Sequence, residues 1–110
     1  MSLIRIALFF LVFFSSAVSA STTSKIESIL LYEAGNIVYV YPVGGVKNAP
    51  SCHGSNRDYM SFKMDRPMSK EYLSLHMLAF AAEKTVTLFS HGVCVDQSIS
   101  ETLSYLLVTK

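Results

Sequence analysis

The chain has 110 residues, 9 basic against 8 acidic side chains, a net charge of +1 and a hydrophobic share of 51%. A charge this near balance, with no basic stripe, argues against nucleic acid as a partner. The length allows one small domain, and one N-terminal segment inflates the hydrophobic share.

That segment is MSLIRIALFFLVFFSSAVSA. Arg5 precedes an apolar run from Ile6 to Phe14, and Val18 and Ala20 take the −3 and −1 positions of a cleavage site. A basic start, a short apolar core and a small-residue exit predict a secretory signal peptide over residues 1–20. The apolar run falls short of the roughly 20 residues a membrane span needs. Met60–Met64 and Leu75–Ala82 are shorter still, so no stable membrane insertion is expected. Cleavage after Ala20 leaves one domain, 21–110, with 8 basic and 8 acidic residues, in a secreted or periplasmic setting. A domain this small usually needs a crosslink or self-association to support its core.

From Lys25 the pattern reads as strands. KIESILLY alternates with period two, EAGN supplies a turn, and IVYVY is a second strand that Pro42 ends. A loop rich in glycine and proline follows, then a third strand over Asp58–Met64. The run Asp65-Arg66-Pro67 is a helix-start signal, and the helix is expected over Pro67–Lys84. KTVTLFS is a fourth strand, which VCV continues or bulges, and TLSYLLV is the last. The expected class is α+β, mostly β. The order β-β-β-α-β-β is that of the OB-fold, a five-stranded Greek-key barrel with one helix between strands three and four. An α+β sandwich of the same order is the competitor.

On a helical wheel Met68, Tyr72, Leu75, Leu78, Ala79 and Ala82 form one broad apolar face, expected to cover the barrel. Leu73, Met77 and Phe80 form a second stripe on the other side, with His76 between the two. The second stripe packs either under a loop of the same chain or against another subunit. A subunit interface is the sharper expectation, and a homo-oligomer the default form.

Cys52 and His53 are neighbours, and His91 and Cys94 lie two apart. A metal site fits poorly, because adjacent side chains on extended backbone point to opposite faces. A Cys–His nucleophile needs a free thiol and an orienting third group, and no such group has a recognisable spacing. An oxidising compartment favours pairing, so a Cys52–Cys94 disulfide is expected, worth about 4 kcal/mol in the chain-entropy account. No metal, cofactor or catalytic residue is expected. For ligand contact the candidates are Tyr39 and Tyr41 on strand two, and the polar cluster Ser55, Asn56, Arg57 and Asp58 after the first cysteine. Tyrosines so placed either stack on a sugar or fill the edge of the core.

Two strands, IESILLY and NIVYVYP, lead to a cysteine loop. A strand, the helix SKEYLSLHMLAFAAEK, a strand reaching GVCV and a final LSYLLV follow. With the leader, this architecture resembles the pentameric B subunits of bacterial AB-type toxins, of the subtilase cytotoxin and cholera toxin kind. The best local likeness is AAEKTVTLFSHGVCV. The resemblance implies a pentameric ring of OB-fold subunits that binds cell-surface glycan and carries a catalytic A-type subunit, with the long helices facing the pore. It assigns no sugar-binding residue to a position here. The alternative is an exported OB-fold interaction protein that binds another envelope protein or a peptide.

Overall fold

The computed structural model describes residues 20–54 and 58–110; the expected leader up to residue 19 and Ser55, Asn56 and Arg57 lie outside the described residues. In chain order the elements are β1 (Ala20–Ser24), β2 (Ile26–Tyr32), β3 (Ile37–Pro42), β4 (Met60–Lys63), α1 (Ser69–Ala81), β5 (Thr85–Ser90) and β6 (Glu101–Thr109). The six strands form one mixed sheet in the order β1-β5-β6-β4-β3-β2. All pairs are antiparallel except β4 with β6, which run parallel over two residue pairs, Met60 with Glu101 and Ser61 with Thr102. The two outermost strands, β1 and β2, are consecutive in the chain and separated only by Lys25, so the sheet curls on itself. The protein is a small, mostly β, α+β molecule with a half-barrel sheet and one helix.

The expected strands and helix exist, with corrections to both. The strand count is six rather than five, because Ala20–Ser24 also pairs, with β5. Its sequence ASTTS carries no apolar alternation to announce it. Hydroxyls support it instead: the Thr23 and Thr87 side chains meet at 3.0 Å, and Thr22 Oγ1 accepts the Lys47 N–H at 2.8 Å. The third strand is shorter than Asp58–Met64, and Val93–Val95 is not a strand. That segment is tied down by Thr102, whose N–H donates to the Val93 carbonyl and whose Oγ1 accepts from Val95 N–H.

Strand alternation builds the core. Val38 and Val40 of β3, Met60 and Phe62 of β4, Val86 and Leu88 of β5, and Leu103 of β6 are buried together. The β2–β3 hairpin turns through a 3₁₀ turn, Glu33–Gly35, closed by Asn36 at φ 50°. Asparagine tolerates this left-handed region better than most residues.

The helix is shorter than expected and rotated about its axis. It buries Ser69, His76 and Ala79, with Tyr72 and Leu73 half-buried beside them. The spacing i, i+3, i+4, i+7, i+10 defines its inner face. Leu75 and Leu78, expected to face the barrel, are 41% and 59% exposed. His76, expected on a flank, is instead fully buried. It stacks on Phe62 at 5.6 Å between ring centroids, and its Nδ1 lies 2.6 Å from the Tyr72 carbonyl. Apolar residues surround this helix almost completely, so the apolar pattern alone does not choose its inner face. The small residues Ser69 and Ala79 choose it, by allowing close approach at both ends.

Candidate ligand-binding site

The outer face of β3 and β4 carries the chemistry. As expected, β3 sends Val38 and Val40 inward, which leaves Tyr39 and Tyr41 on the other face, both half-buried. In β4 the alternation turns Met60 and Phe62 inward, and the ladder sets Ser61 opposite Tyr39. Tyr59, just before β4, lies on the same side of the sheet but is buried, 3% exposed. Its ring lies 4.3 Å from that of Tyr39 and 5.2 Å from that of Tyr41. Tyr32 extends the row, 6.3 Å from Tyr39. Four of the chain's six tyrosines thus form one cluster, a platform in which Tyr32, Tyr39 and Tyr41 are accessible and the buried Tyr59 packs against them.

A polar network fixes it. The Tyr59 hydroxyl donates to Gln97 Oε1 at 2.6 Å, and Gln97 Nε2 donates to the Tyr39 hydroxyl at 2.7 Å. The Ser100 hydroxyl also donates to Gln97 Oε1, at 2.6 Å. Having spent its proton there, Ser100 must accept from Ser61 across their 2.6 Å contact. Burial, and then the neighbouring Tyr39, raise the Tyr59 phenol above its ordinary range, so it serves as a neutral donor. The Tyr39 oxygen accepts a hydrogen bond from Gln97 Nε2, which leaves its own O–H free to donate elsewhere.

The disulfide holds the rim. Cys52 and Cys94 are bonded, 42 positions apart, with Cα atoms 6.1 Å apart. Beside Cys52, His53 Nδ1 accepts the Glu101 backbone N–H at 3.0 Å, and its ring meets Tyr59 edge-on at 6.5 Å. Gly54 N–H donates to the Ile99 carbonyl at 2.6 Å. On the far side Asp96 Oδ2 accepts from Lys63 N–H and from Arg66, whose guanidinium also donates to the Leu103 carbonyl. The loops bearing Cys52 and Gln97 are therefore locked to β4 and β6.

The sequence-predicted residues fall as follows. Tyr39 and Tyr41 are on the platform. Asp58 is exposed and packs against Gly45. Gly45 has φ +81°, and a Cβ there would lie 2.9 Å from the Asp58 Cβ, so this close approach requires glycine. Of the helix stripe, Met77 and Phe80 are 55% and 44% exposed, whereas Leu73 packs partly against the core. His91 is exposed at its turn. Among the described residues no group of three or more His, Cys, Asp or Glu side chains could hold a metal ion.

Sequence reasoning missed Tyr32, Tyr59, Ser61, Gln97 and Ser100. Alternation in DYMSFKM could have found Tyr59, since Met60 and Phe62 inward force Tyr59 and Ser61 outward. Gln97 lies in an irregular loop and carries no local signal. One further residue stands out: Glu101 is fully buried, and neither carboxylate oxygen has a hydrogen-bond partner. Burial raises its pKa; the nearby Ser90 hydroxyl works the other way without reaching hydrogen-bond geometry.

No protein-family model, no curated protein and no solved structure matches the chain.

Proposed function

We propose that this protein is an exported, non-catalytic binding subunit that recognises a cell-surface glycan and assembles with copies of itself into a ring. One observation carries the reading: four tyrosines cluster on one side of the sheet, braced by Gln97, Ser61 and Ser100 and rimmed by a disulfide. Sugars present an apolar face for stacking and hydroxyls for directed bonds, and a braced tyrosine row offers both. Bracing also lowers the ordering cost of binding. Taking β1 and β2 as one strand bent at Lys25 gives five strands with the helix after the third. This count supports the OB-fold and the likeness to toxin B subunits. A leader cleaved after Ala20 and a disulfide belong together in an oxidising compartment. A catalytic A-type subunit is the partner this reading calls for.

The test is binding to an array of immobilised glycans. The wild type is expected to bind a subset, and Tyr39→Ala to lose at least tenfold in affinity while keeping its fold. Absence of any hit would favour the second reading, an exported OB-fold protein that binds another envelope protein or a peptide. That reading draws on the exposed apolar side chains Leu30, Leu31 and Tyr32 along β2.

A further inference from the structure

Part of the loop between β3 and β4 is held to the molecule without burying an apolar side chain. Residues 47–54 read KNAPSCHG. Lys47, Asn48, Ala49, Ser51 and Cys52 are exposed, and Pro50, His53 and Gly54 are half-buried. One end is pinned where Lys47 N–H donates to Thr22 Oγ1 at 2.8 Å. At the other end His53 Nδ1 accepts the Glu101 N–H, Gly54 N–H donates to the Ile99 carbonyl, and Cys52 is bonded to Cys94.

The two sides of that disulfide are anchored unequally. Cys94 is half-buried in a loop that Thr102 grips at three points, the Val93 carbonyl and the N–H groups of Val95 and Asp96. Asp96 adds its bonds to Lys63 N–H and Arg66, and Gln97 its bonds to Tyr39 and Tyr59. None of these needs the disulfide. On the Cys52 side no side chain of residues 47–54 belongs to the core, so little burial opposes the chain entropy regained on release. The His53 ring on that side meets Tyr59 edge-on, and Tyr59 is 3% exposed.

We propose that residues 48–54 form a redox-latched strap over Tyr59, held shut by the Cys52–Cys94 bond and opened by a dithiol reductant. Cys52 is exposed, and exposed disulfides are the labile ones. A thiolate of the dithiol attacks Cys52 Sγ, and Cys94 leaves as a thiolate. The second thiol of the reagent then attacks the reagent sulfur bonded to Cys52 and expels the Cys52 thiolate. The reagent ends as a disulfide, and its two protons end on the cysteines. An oxidising compartment keeps the strap shut, and a reducing one adds Tyr59 to the accessible tyrosines. The device does not depend on what those tyrosines bind.

The test uses the disulfide-bonded chain at low temperature, with dithiothreitol as the reductant. Reduction is expected to run in proportion to dithiothreitol concentration. A rate that levels off at the rate of global unfolding would overturn the accessible latch. In the reduced chain, amide exchange read by NMR is expected to speed up about tenfold or more at Gly54 and Glu101, and to stay within about twofold at Val95, Asp96 and Thr102. A soluble paramagnetic chelate should broaden the Tyr59 ring signal in the reduced chain and spare it in the oxidised one. Cys52→Ser with Cys94→Ser, which needs no reductant, is expected to give the reduced pattern. Unchanged exchange at Gly54 and Glu101, or a Tyr59 signal spared in both states, would overturn the strap. Protection lost at Thr102 and throughout the chain would overturn it too, because the bond would then staple the whole fold rather than latch one segment.

Discussion

Two buried ionisable residues set opposite pH limits on this protein. The His76 ring donates through Nδ1 to the Tyr72 carbonyl, so its neutral form leaves Nε2 bare, without a hydrogen-bond partner. Burial lowers its pKa from 6.5 to about 4, against a weaker opposite pull from the Tyr72 carbonyl. The unfolded chain takes up this proton first as the solution is acidified. The stabilisation is therefore complete above about pH 6.5 and is lost as pH falls towards 4, a loss of about 3 kcal/mol. Glu101 acts in the opposite direction. Its folded pKa is raised above 4.5, so its contribution is present below that value and lost as pH rises through the folded pKa. Chemical denaturation across pH 4–8 should show the acid-side slope flattened in His76→Leu. Glu101→Gln should gain on wild type as the pH rises. Equal pH slopes in wild type and both variants would contradict the assignment. Neither residue was legible as buried in the sequence. His76 sits between two apolar stripes, and only the stack on Phe62 shows which way it faces. Glu101 looks like an ordinary charged residue entering a strand.

At the scale of elements, the helix end and the crosslink each make a prediction. The helix stops with Glu83 at φ 52°, and Lys84 N–H reaches back to the Ala79 carbonyl at 2.9 Å. This is a Schellman stop, where glycine is the favoured residue. Glu83→Gly should stabilise the protein by roughly 0.5–1 kcal/mol in urea denaturation. A loss would show that the Glu83 side chain matters more than its backbone. The disulfide ties the loop before β4 to the one after β5. Replacing Cys52 and Cys94 by alanine should cost about 4 kcal/mol and lower Tm by roughly 15–30 °C. An unchanged Tm would remove the crosslink from the account. Period-two patterning made β3 and β5 legible, because each buries alternate residues, whereas β2 was legible by its β-branched and aliphatic composition although it buries only Ile26. It missed β1, whose ASTTS holds its place through threonine hydroxyls rather than apolar burial. The helix was legible as an element but not in its rotation, since Leu75, Leu78 and Phe80 are as apolar as anything it buries.

At the scale of the whole molecule, the curled sheet separates three surfaces. The interior holds the core and Glu101. The helix side holds exposed apolar side chains. The outer face of β3 and β4 holds the tyrosine platform. Of the platform, the sequence disclosed Tyr39 and Tyr41, because strand alternation places them together. It did not disclose Gln97, which comes from a loop more than fifty positions away and makes the platform rigid. Gln97→Ala should leave the fold intact while releasing both Tyr39 and Tyr59. Glycan affinity should then fall about tenfold, a loss of about 1.4 kcal/mol, with the three hydrogen bonds of the Gln97 side chain removed. Unchanged affinity would show that stacking alone holds the ligand.

The six tyrosines allow the central claim to be tested in one titration. With ring-labelled tyrosine, each gives its own NMR signal, and a glycan selected from the array is added stepwise. The account predicts saturable shifts at Tyr32, Tyr39, Tyr41 and Tyr59. Tyr72, on the inner face of the helix against Phe62, and Tyr105, stacked on Phe89, should stay still. Shifts confined to Tyr105, or none at any tyrosine while the glycan binds, would contradict it.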